Sequence, residues 1–78
     1  MHQIEEILAI LEEVKPGLHP APDEELIRSG KLESIDIMSL TMALAEEFDL
    51  EISPVDLKEE NFRTAADILR LVNRLEEE

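Results

Sequence analysis

Apolar residues recur at helical spacing along most of the chain, and Gly and Pro cut the recurrence into segments. Ile4, Ile7, Leu8, Leu11 and Val14 share one side of a first helix when each residue advances the chain by about 100°. Lys15-Pro16-Gly17 ends that helix. A long connection follows, from about Pro16 to Glu33, punctuated by Pro20, Pro22 and Gly30. Leu18, Leu26, Ile27 and Leu32 are placed to pin it to a core. Connections of this length are uncommon in small domains and often serve function. A second helix is predicted from Ser34 to Phe48. Ser53 with Asp56 makes a capping box, and Pro54 stands at the first helical position, which predicts a short third helix near Pro54 to Glu59. Thr64 with Asp67 repeats the box and opens a last helix, whose buried stripe is Ala65, Ile68, Leu69, Val72 and Leu75. Phe62, between the two capped segments, reads as a core anchor. No segment alternates as a strand would. The expected fold is all-α, with three longer helices and one short one.

The second helix carries more apolar surface than it needs. Ile37, Leu40, Thr41, Leu44 and Phe48 form a core stripe. Ile35, Met38 and Met42 gather on another side, roughly 130° away. Ser39, Asp36, Glu46 and Glu47 take the remaining arc. Either the long connection folds over the second stripe, or the stripe is a docking surface. Methionine suits the latter, because it adapts to several partners, and neighbouring acids would steer basic partners toward it.

Charge and composition narrow the function. The chain has 78 residues, which fits one domain over 1–78 with a modest core. Acidic residues outnumber basic ones 20 to 7, for a net charge of −13. Such a surface repels nucleic-acid phosphates and anionic lipid headgroups, and it suits a partner with a basic docking patch. There is no cysteine, so disulfides, thiolate metal sites and thiol catalysis by the chain itself are excluded. No apolar run approaches a membrane span, and the acidic start MHQIEEILAI is unlike a signal peptide. A cytoplasmic protein is the default expectation. No nucleophile–base–acid set points to a hydrolase. His2, at the chain start, and His19, between Pro-rich turns, read as solvated. Asp49, Glu51, Ser53 and Glu60 fall at calcium-loop spacing, but Pro54 occupies the position where that loop needs Gly, so no metal is expected there.

Ser34 has two readings. A serine at a helix start commonly caps backbone N–H groups. It also lies where a phosphate ester would be favoured by the helix N-terminus. The surrounding stretch GKLESIDIMSLTMALAEEFDLEI resembles the acyl carrier protein family around its attachment serine. The likeness rests on Glu33-Ser34-Ile35, then Asp36, Leu40, Met42 to Leu44 and Glu46-Glu47-Phe48. The stretch ENFRTAADILRLV is similar to the closing segment of carrier domains. Glu33 and Ile35 replace the family's usual Asp and Leu, keeping charge or bulk. Ser39 and Ala45 stand where fatty-acid carriers have acids.

The resemblance implies a four-helix bundle of the acyl carrier type, monomeric and non-catalytic. It implies 4'-phosphopantetheine on Ser34, placed there from coenzyme A by a phosphopantetheinyl transferase. Acyl or aminoacyl intermediates would then ride as thioesters to partners: a loading ligase or transferase, a ketosynthase, or other pathway enzymes. Glu33, Ile35, Asp36, Met38, Met42, Glu46 and Glu47 would meet those partners. Fatty acid, polyketide, nonribosomal peptide and D-alanyl pathways all remain open, with the missing acids favouring a dedicated pathway. The alternative is an acidic helical interaction module of the same shape with no prosthetic group.

Overall fold

The computed structural model describes residues 2–77 and contains three α-helices: α1 (Ile4–Val14), α2 (Ser34–Phe48) and α3 (Ala65–Glu77). No strand occurs among the described residues. Helix α1 packs against both α2 and α3. Ile7, Ile10 and Leu11 meet Leu40 and Leu44 of α2 and Ile68, Leu71 and Val72 of α3 in one core, with Phe62 and Leu26 inserted from the connections. The stripes read from spacing in α1 and α3 all pack on the core, and each is widened by one residue. Ile10 and Leu71 are buried, whereas Leu8 and Leu69 are only partly so. Two packing partners at different angles widen the buried face beyond a single stripe.

Local chemistry sets the helix ends. At α1, Gln3 N–H donates to Glu6 Oε2 (2.7 Å). At α3, Asp67 N–H donates to Thr64 Oγ1 (3.1 Å), whose hydroxyl donates to Asp67 Oδ2 (3.0 Å). Helix α2 stops at Asp49, which takes a left-handed conformation (φ 53°). Aspartate tolerates that region better than most residues. Leu50 N–H then bonds back to the Ala45 carbonyl (3.0 Å).

The short third helix does not form. Its place is taken by two single turns of 3-10 helix, Pro54–Asp56 and Glu59–Asn61. The capping pair is present, with Ser53 N–H donating to Asp56 Oδ2 (3.3 Å). What is missing is a stripe to bury. Val55 and Leu57 are two residues apart and both exposed, so no core contact extends the first turn into an α-helix. Lys58 is extended and separates the two turns. The stretch with calcium-loop spacing is thus bent into turns by its own cap.

The long connection is folded onto the helices. Leu26 N–H donates to the Arg63 carbonyl (2.8 Å), and Ala66 N–H to the Pro22 carbonyl (3.0 Å), which tie it to the start of α3. Leu26 and Leu32 are buried. The radius of gyration, 11.1 Å, is close to the about 11.5 Å expected of a compact chain this long. Gly30 has φ 80°, the left-handed region that favours glycine, and it turns the chain into α2.

Of the two histidines, one meets the expectation and one departs from it. His19 is exposed and pairs with Glu12 (2.8 Å). His2 is only partly exposed and makes specific contacts. Its N–H donates to Asn73 Oδ1 (2.9 Å), its ring lies against Phe48 with centroids 4.2 Å apart, and its nitrogens meet Glu6 and Glu76. It closes the end of the molecule where the start of α1 meets the ends of α2 and α3.

Like charges crowd the α1–α2 cleft, where Glu13, Glu46 and Glu47 line one hollow and Glu6 joins Glu13 and Glu47 in the next. Added salt or millimolar magnesium is expected to raise the melting temperature by screening or binding these carboxylates. A melting point flat across a salt titration would contradict it.

Candidate functional site

Ser34 is the first residue of α2, and Glu33 is the N-cap. This corrects the reading of Ser34 as the cap. Glu33 N–H donates to Asp36 Oδ2 (3.0 Å), so the cap is made by Glu33 and Asp36, and serine takes no part. Ser34 is exposed, and its hydroxyl makes no hydrogen bond among the described residues. Its side chain is therefore free at the positive end of a 15-residue helix.

Lys15 holds this end in place. Its Nζ donates to the Lys31 carbonyl (2.6 Å) and to Asp36 Oδ2 (3.3 Å). One side chain from the end of α1 thus fastens both the turn before Ser34 and the first turn after it. The bond from Glu33 N–H, and behind it Lys15, holds the Asp36 carboxyl below its ordinary pKa. A depressed folded-state pKa adds stability that is present above the ordinary carboxylate value and lost as pH falls through the lower, folded one. Asp36→Asn is expected to cost about 0.5–1 kcal/mol at neutral pH. The gap to the parent should close as acid protonates Asp36, which urea unfolding at several pH values would read. A gap that persists unchanged into strong acid would contradict it.

Beside Ser34 lies an open groove of about 350 Å³. Ile27, Ile37, Met38, Leu57 and Phe62 give it apolar walls, and Glu33, Lys58 and Glu59 are its charged residues. It runs between α2, the long connection and the two 3-10 turns.

The second apolar stripe of α2 is open to solvent: Ile35 is 72% exposed, Met38 66% and Met42 71%. The long connection does not cover it. Val55 (72%) and Leu57 (49%) add exposed apolar surface on the neighbouring turns. Sequence reasoning missed these two; the available signal was their spacing of two, which fits no helical stripe. The acids divide differently from the expectation. Glu46 is exposed and follows Met42 by one turn. Asp36 and Glu47 lie toward α1, Asp36 in its pair with Lys15 and Glu47 in the acidic cleft, which Glu46 also lines. Neither borders the methionines, because helical rotation puts them well over 100° from the centre of the strip.

A family model described as the phosphopantetheine attachment site matches residues 2–72. The chain belongs to that family. No curated protein and no solved structure matches it. The prosthetic group of the phosphopantetheine-attachment family is 4'-phosphopantetheine, and the site described above fits it. An exposed, unbonded hydroxyl at a helix start can take a phosphate ester. An apolar-walled groove beside it can take an organic arm. Among the described residues no helix is long and apolar enough to cross a membrane.

Proposed function

We propose that this chain is a non-catalytic acyl or aminoacyl carrier, loaded at Ser34. The observation that supports it most is the state of the Ser34 hydroxyl: exposed, free of the cap and on the edge of an apolar groove. When attached, 4'-phosphopantetheine supplies the thiol that the cysteine-free chain lacks and holds cargo as a thioester. The chain's own work is positional. Glu33 and Asp36 cap α2, Lys15 clamps the cap, and Ser34 Oγ is presented as an acceptor whose activation comes from the transferase. His2 cannot serve as its base, because it sits beside Phe48, about 21 Å along α2.

Incubation with coenzyme A and a promiscuous phosphopantetheinyl transferase tests this directly. Intact mass should rise by one phosphopantetheine, and peptide mapping should place it on Ser34. Attachment at Ser29, Ser39 or Ser53 would sink the site assignment. No gain at all would leave the chain as an acidic interaction module of carrier shape.

In this reading Ile35, Met38 and Met42 form the strip that partner enzymes read, with Glu33 and Glu46 as the exposed acids beside it. Partners would offer an apolar notch ringed by Arg or Lys: the transferase, a loading ligase or acyltransferase, and a ketosynthase or other pathway enzyme. Met42→Glu should weaken docking at least several-fold by placing a charge in that notch, with little change in fold, because Met42 is exposed. Glu46→Lys should chiefly slow association, more at low salt than at high. Binding kinetics against the transferase would read both; unchanged affinity for Met42→Glu would remove the strip from the interface. Ser39 and Ala45 lower the charge of α2, which favours a dedicated pathway over general fatty acid synthesis. Turnover with a fatty acid ketosynthase equal to that of the same host's own carrier would refute that preference alone.

A further inference from the structure

We propose that Lys58 is the counter-cation of the phosphodiester formed on Ser34, and hence a positioning residue for the attached arm. The inference rests on Ser34 being the attachment residue. The chain has seven Lys and Arg side chains. Five are ion-paired: Lys15 with Asp36, Lys31 with Glu24, Arg28 with Glu25, Arg70 with Asp67 and Arg74 with Asp56. Lys58 and Arg63 have no ion pair among the described residues. In a chain of net charge −13 an unpaired lysine is conspicuous, because carboxylates are available almost everywhere. Of the two, Lys58 lines the groove that holds Ser34, and Arg63 does not.

The electrostatics of the groove give Lys58 its role. Its other charged residues are Glu33 and Glu59, both carboxylates. A phosphodiester on Ser34 adds a further negative charge at neutral pH. The helix N-terminus offsets part of that charge. Among the described groove residues, Lys58 is the one cation able to offset the rest. Its backbone is held by local bonds. It is the extended residue between the two 3-10 turns, its carbonyl accepts Asn61 N–H (2.9 Å), and Asn61 Nδ2 donates to the Asp56 carbonyl (2.8 Å). Phe62, buried, anchors the same segment. A fixed backbone with a free, flexible ammonium suits a point-charge contact to a phosphate.

The test compares the parent chain, Lys58→Gln and Lys58→Arg, each before and after loading, with intact mass and peptide mapping confirming modification at Ser34. Lys58 is exposed, so the variants keep the fold, which circular dichroism verifies. The readouts are the thermal midpoint and the phosphorus resonance of the loaded protein at low salt and at about 1 M salt. Loading should favour the parent over Lys58→Gln by roughly 2–5 °C at low salt, a difference that high salt shrinks. The phosphorus resonance should move in Lys58→Gln and stay near the parent position in Lys58→Arg. Equal midpoint changes and coincident resonances in fully loaded parent and Lys58→Gln would overturn the role of Lys58 and leave the carrier reading intact. A chain that gains no mass at Ser34 would overturn both.

Discussion

Ser34→Ala is expected to fold as the parent does and to accept no phosphopantetheine. The two halves of that result come from different observations. Loading should fall to zero because the acceptor oxygen is gone, and no other serine is the first residue of a long helix beside an apolar groove. The fold should survive because Ser34 takes no part in the cap. A true N-cap serine lost to alanine costs about 1 kcal/mol. Here the cap is the Glu33–Asp36 pair, and the Ser34 hydroxyl has no partner among the described residues. The cost should therefore stay within about 0.5 kcal/mol, the range of an ordinary surface change. Urea unfolding and intact mass after incubation with coenzyme A and transferase read the two halves separately. A stability loss near 1 kcal/mol would return Ser34 to the cap. Residual loading would move the attachment elsewhere.

Phe62→Ala should do the opposite, losing the fold first and loading only as a consequence. Phe62 is 1% exposed and is the largest of the fully buried side chains. It joins the core from the connection before α3 and also forms part of the groove wall beside Ser34. Truncating a buried phenylalanine costs about 3–5 kcal/mol through lost transfer energy and the cavity left behind. A domain of this size holds roughly 4–12 kcal/mol in total, so the variant should be largely unfolded or close to it at room temperature. Phe62→Leu, which keeps most of the volume, should retain cooperative unfolding. Circular dichroism with urea titration would measure both. A Phe62→Ala chain within about 1 kcal/mol of the parent would show that the residue is not the anchor its burial indicates.

Much of this molecule could be read along the chain. The bounds of α1 and α2, the capped start of α3 and the all-helical character follow from apolar spacing and from residues such as Thr64 and Asp67 that bond within one turn. These signals are local, and local chemistry suffices for them. The two-sided apolar character of α2 was equally visible, because helical rotation depends on sequence number alone.

What spacing could not supply was the identity of the neighbour. Whether the connection covered Met38 and Met42 depended on where Leu26 and Leu32 docked, and that followed from bonds that join Leu26 to Arg63 and Pro22 to Ala66, pairs tens of residues apart. Whether Pro54 began an α-helix depended on a surface for Val55 and Leu57 to bury against, and the fold provides none. The cap passed from Ser34 to Glu33 by a shift of one residue, within the usual uncertainty of a helix end. Asp36, an acid in sequence, became a fastening because Lys15 arrives from another helix. Lys58 stands out only once its five paired counterparts have been located. Sequence alone determined the three α-helices, the acidic balance, the lack of a thiol and the candidate serine, since each is a property of residues near one another or of their sum. Tertiary structure alone decided which side chains were covered, which charges were paired and which lysine shares the groove of Ser34, since those are relations between residues that the chain brings together only by folding.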